Sequence, residues 1–100
     1  MISISTTQKL DETREALFSI DGEEYTIPVH VPPVWGLQAT EVTRQQGEIA
    51  ATAWIMEKLL GAKGWRVLRE CEYSQAAQLS AIVETCRTKV FGAMEEEGKG

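Results

Sequence analysis

The spacing of apolar residues changes along the chain. Residues 1–14 carry no sustained apolar period, and Lys9, Asp11, Glu12 and Arg14 interrupt any face that could be buried, so a flexible N-terminal arm is expected there. From Ala16 the pattern becomes β-like. Leu17-Phe18-Ser19-Ile20 and Tyr25-Thr26-Ile27-Pro28-Val29 flank Asp21-Gly22, a pair that supplies the positive φ values of a tight hairpin turn. Phe18, Ile20, Tyr25 and Ile27 have the alternate spacing that sets one face against a core, and Pro28, which lacks an N–H, ends its strand or places it at an edge.

Helical signals follow. Pro32-Pro33 suits a first helical turn, and Val34 to Gln46 reads as a helix with a poor stripe of Val34, Leu37 and Val42. Gly47 marks a break. Glu48 to Leu60 is rich in good helix formers, and Gly61 stands where a C-terminal cap belongs. Ile49, Ala53, Met56, Leu59 and Leu60 are assigned to its core face, which leaves Trp54 and Ile55 beside Lys58 on a second apolar side. A short piece over Trp65 to Cys71 follows Gly64. Ser74 is then the expected N-cap of the last helix, where Leu79, Ile82, Val83, Cys86, Val90, Ala93 and Met94 make one amphipathic stripe. The glycine-flanked acidic end, 96–100, is expected to be a flexible tail. These elements predict a mainly α chain with a small N-terminal β-hairpin, an α+β fold of three to four helices in a single compact domain over residues 15–95.

Composition narrows the function. With 43% apolar and 25% charged residues in 100, the chain has the composition of one folded domain rather than of a disordered segment. A net charge of -5 opposes phosphate binding, so no nucleic-acid partner is expected, and the apolar runs are too short to span a bilayer, so neither is a membrane. The start of the chain lacks the basic and apolar regions of a secretory signal, and Cys71 and Cys86 are too few for a disulfide framework, which points to the cytoplasm.

Catalytic and metal chemistry find no foothold. His30 is the only histidine and has valines and prolines for sequence neighbours; with two distant cysteines it makes no credible zinc set. Gly61-Ala62-Lys63-Gly64 does not continue into the Gly-Lys-Ser/Thr of a phosphate loop. Neither an enzyme nor a cofactor is expected. Three tryptophans, Trp35, Trp54 and Trp65, are the more pointed feature. They either fill one small core or contribute to a protein-binding surface, with Trp54, Ile55 and Lys58 at its centre and Trp35 and Trp65 beside it.

The succession Phe18-Ser-Ile-Asp-Gly-Glu-Glu-Tyr-Thr-Ile-Pro28, a Pro-led helix, a helix ending Leu59-Leu60-Gly61, a Gly64-Trp65-Arg-Val-Leu68 piece and a long final helix resembles the tail assembly chaperones of long-tailed phages over about residues 16 to 95. The resemblance implies a protein that coats the apolar, helical tape measure protein, keeps it soluble and recruits major tail tube protein until polymerisation displaces it from the tail. It also implies a longer form made by ribosomal frameshifting, for which Gly98-Lys99 fits a slippery run of G and A. An exposed apolar patch further suggests a homo-oligomer. A small acidic regulatory protein that binds one folded partner is the alternative, although its carboxylates are interspersed with Arg44, Lys58, Lys63, Arg66, Arg69 and Arg87 rather than gathered on one face.

Overall fold

A computed structural model describes residues 2–4 and 12–99, of which 95–99 are described by their backbone. The order is β1 (Arg14–Ile20), β2 (Glu23–Pro28), α1 (Val34–Gln46), α2 (Glu48–Glu70) and α3 (Ala76–Lys99). This is the expected α+β arrangement, an antiparallel hairpin followed by three helices in one globule. Most of the predicted flexible arm, residues 1 and 5–11, lies outside the described residues, as does Gly100 of the predicted tail; Arg14 already belongs to β1.

Asp21 and Gly22 both take positive φ, 50° and 84°, as the two-residue turn requires. Phe18 pairs with Tyr25, their rings stacked at 5.1 Å. One irregularity is invisible in the alternation: the register slips between Ala16 and Phe18, so Leu17 is an extra residue that turns toward the core. Cationic side chains tie the hairpin to the helices, among them Lys63 of α2, 3.6 Å from Glu23 Oε1. Arg14 donates to Thr26 Oγ1 at 2.8 Å, to the Thr26 carbonyl at 2.7 Å and to the Leu59 carbonyl of α2 at 3.3 Å. Lys89 of α3 donates to Glu15 Oε1 at 2.5 Å and to the Val29 carbonyl at 3.3 Å. Ile27, wholly buried, supplies the apolar anchor.

The helix α1 starts at the Pro32-Pro33 step, with Trp35 and Gly36 N–H groups bonded to the Pro32 and Pro33 carbonyls. Only Gly47 separates it from α2. Inside α2, Gly61 has φ 81° and ψ 169°, so the helix stops after Leu60 and resumes at once. The expected cap is therefore a break, and the predicted Trp65–Cys71 piece is the second half of α2. The Leu59 carbonyl, near this break, is the one that accepts from Arg14.

Around this break the core forms from Ile27, Val31, Ala39, Ile55, Met56, Leu59, Leu60, Leu68, Cys86 and Val90. The expected face of α2 needs correction. Ile49 is 90% exposed, whereas Ile55 is fully buried with Ala51 and Leu59. These three recur at i, i+4 and i+8, so they stack on one side of the helix. Because α1, α3 and β2 all pack on α2, its buried face is wide enough to take in both this row and Met56 and Leu60.

The stripe of α3 follows expectation as far as Ala93, with Cys86 and Val90 fully buried and Leu79, Ile82, Val83 and Ala93 packed on the core, whereas Met94, expected in the same stripe, is 36% exposed. Its start differs. The Gln75 carbonyl accepts the Leu79 N–H and the Gln75 N–H bonds to Gln78 Oε1 at 2.9 Å, so Gln75 rather than Ser74 is the N-cap, with the glutamine three residues on supplying half of a capping box.

Candidate interaction surface

The predicted binding residues divide in three. Lys58 and Trp54 lie one turn apart on α2, and α1 carries Trp35 to the same place: the Lys58 ammonium is 5.2 Å from the Trp35 ring centre and 5.5 Å from that of Trp54. Both rings are half-buried against the core, so the ammonium sits between their faces while the lysine stays exposed. Trp65 belongs to the second half of α2, half-buried with the Arg69 guanidinium 5.4 Å from its ring. Ile55 leaves the set altogether. Its position four residues before Leu59 places it in the core, where it can touch no partner in the folded protein. The three tryptophans thus line the margin of the core, and each has a cation of this chain close to its ring.

A barer surface lies on α1. The residues this helix buries are its smallest, Gly36 and Ala39, while Val34 and Leu37 are 48% and 61% exposed. The reason is a close approach to α3. A Cβ added at Gly36 would stand 2.3 Å from the Met94 sulfur and 3.5 Å from the Val90 carbonyl oxygen, so a side chain here would have to displace the flexible Met94 thioether. Packing through the small residues turns the larger ones outward. Val34 and Leu37 therefore present apolar surface on the side of α1 turned away from α3, while Met94, at the crossing itself, is 36% exposed. The weak stripe of α1 carried this signal in the sequence: Gly36 and Ala39 share one side at i, i+3, and apolar side chains fall off that side.

Among the described residues a few titratable groups are shifted. Burial pushes the Cys86 thiol up to about 11, with Lys89 acting in the opposite direction, so the thiol remains protonated at neutral pH. The hydrogen bond from Arg44 holds the exposed Glu41 carboxyl below its usual range, as in an ordinary helix-surface ion pair. His30 is exposed and, with Glu15, Glu84 and Lys89, lines an open groove of about 500 Å³ between the hairpin and α3. Among the described residues no three metal-ligating side chains converge, and no helix is long and apolar enough to cross a membrane. The chain matches no protein-family model, no curated protein and no solved structure.

Proposed function

We propose that this chain is a phage tail assembly chaperone, a non-catalytic protein of the infected cell's cytoplasm that binds the tape measure protein and keeps it soluble during tail morphogenesis. The observation that carries the reading is the inverted face of α1, which buries Gly36 and Ala39 and presents Val34 and Leu37 to solvent. A monomer gains nothing by exposing its larger apolar side chains, whereas a protein that covers the apolar stripe of a client helix needs them outside. Each Å² so covered contributes about 25 cal/mol. The half-buried Trp35, whose ring carries Lys58, borders Val34 in sequence and extends this surface.

The remaining support is the order of elements. A hairpin turning on Asp21-Gly22, a Pro-led helix, a break after Leu59-Leu60 and a long last helix are the features on which the resemblance to this class rests. The net charge of -5 suits a carrier that must keep an apolar client dispersed.

Co-expression with a candidate tape measure protein tests the proposal. The client is expected to move from the pellet to the soluble fraction and to co-purify, and Val34→Ser/Leu37→Ser is expected to abolish this while its circular dichroism matches that of the native chain. A folded native chain that rescues no client defeats the reading and favours a small acidic regulator. The frameshift is tested separately: a gene without a slippery run near Gly98-Lys99 or an overlapping downstream frame would exclude the longer form.

A further inference from the structure

The hairpin leaves one edge unused. Among the described residues the sheet has two strands, so β1 pairs with β2 on one side and has no strand on the other. An open groove of about 460 Å³ runs along that free side. Its near wall is the consecutive run Leu17, Phe18, Ser19 and Ile20, and its far wall includes Leu68 of α2 and Ile82 of α3. Successive side chains of a strand alternate between faces, so four consecutive residues line one groove only along the strand's edge. No β2 residue lines it, which assigns the edge to the side away from β2. The groove therefore offers unpaired strand amides and carbonyls next to apolar side chains, the two things a bound extended segment uses.

A matching segment is present in the same chain. Ile2-Ser3-Ile4 alternates apolar and polar with the period of a strand, and isoleucine is among the best strand formers. Ile2 and Ile4 are 93% and 86% exposed. We infer that the Ile2–Ile4 segment of one copy adds as a strand to the β1 edge of a second copy and seats its isoleucines in the Leu17–Ile20 groove. In the single chain both isoleucines stand clear of cover and are free to seat elsewhere. The contact joins two different surfaces, so a reciprocal exchange closes a dimer and a one-way contact continues into a longer assembly. This inference stands independently of the proposed client.

Sedimentation velocity of the full chain from micromolar to millimolar, with amide exchange of residues 17–20 read on the same samples, tests it. The native chain is expected to exceed its monomer mass of 11.1 kDa, with exchange at these amides slowing as concentration rises. In Ile2→Lys/Ile4→Lys the added charges oppose burial at an edge, so both effects should vanish while thermal unfolding of the dilute protein stays unchanged, because neither side chain is covered in the monomer. A native chain that is monomeric throughout overturns the inference, and so does association that survives the lysines. Protection of residues 17–20 that is independent of concentration also overturns it, by placing the segment on its own β1.

Discussion

Replacing Ile55 and Trp54 one at a time by alanine should separate folding from binding. Ile55 is fully buried between Ala51 and Leu59, so Ile55→Ala removes three carbons from a site with no solvent to fill it. Such truncations cost about 2–5 kcal/mol, transfer and cavity together, out of a total stability of about 5–15 kcal/mol for a domain. At about 4–8 °C per kcal/mol for this chain length, the melting temperature should fall by at least about 8 °C. Trp54 is half-buried, and its substitution leaves the row of Ala51, Ile55 and Leu59 in place. Its loss should cost about 1–2 kcal/mol, the share of a large ring held out of water. Urea unfolding followed by circular dichroism reads both variants with one slope. A larger loss for Trp54→Ala than for Ile55→Ala would reverse their placement and refute the argument. Of these two variants only Trp54→Ala can report on a surface, since Ile55→Ala opens the core.

Further expectations concern the break, the buried thiol and the surface pair. Gly61→Ala meets open space but must hold φ 81°, so its cost is torsional, about 1–3 kcal/mol, and equal stability of the two proteins would mean that α2 runs straight through. In the native protein a thiol reagent should modify the partly exposed Cys71 and spare Cys86 until denaturant is added; rapid reaction of both would contradict the burial. The Cys86 thiol is raised from 9.0 to about 11 by burial, so its contribution is complete below pH 9 and is lost as pH rises from there toward 11; it amounts to at most about 3 kcal/mol, and Cys86→Ala should lack this component. For Glu41 the sign is opposite. Its carboxyl is lowered by Arg44, so the pair stabilises above the ordinary carboxylate range and is lost as pH falls through the lowered value, a component that Glu41→Gln should remove from an acid titration of stability.

Much of the fold was legible because single residues dictate it. Asp21-Gly22 specifies the turn, Pro32-Pro33 the start of α1 and Gly61 the interruption of α2, each through a backbone conformation that few residues share. The bulge at Leu17 leaves no such mark, since its strand reads equally well without it. The face of α2 was misplaced for a different reason. A stripe drawn through Ile49 assumes one narrow contact, but three elements pack on this helix, and the row they bury begins at Ala51 and leaves Ile49 in solvent. The same limitation hid the surface on α1: residue size and the distance to α3, rather than hydropathy, decide which of its sides is inside. Trp35, Trp54 and Lys58 do meet, as their residue types suggested, but Ile55 does not join them.

The crossing of α1 and α3 also determines how the protein ages. The Met94 sulfur fills the space that a side chain at position 36 would occupy, and it is partly open to solvent, whereas Met56 is 1% exposed. Oxidants therefore reach Met94 before Met56, and the sulfoxide brings a polar oxygen into a gap already filled by a thioether. The first chemical damage at these two sites falls between α1 and α3, beside Gly36. Oxidative damage thus begins at a helix crossing while the core around Met56 is still intact.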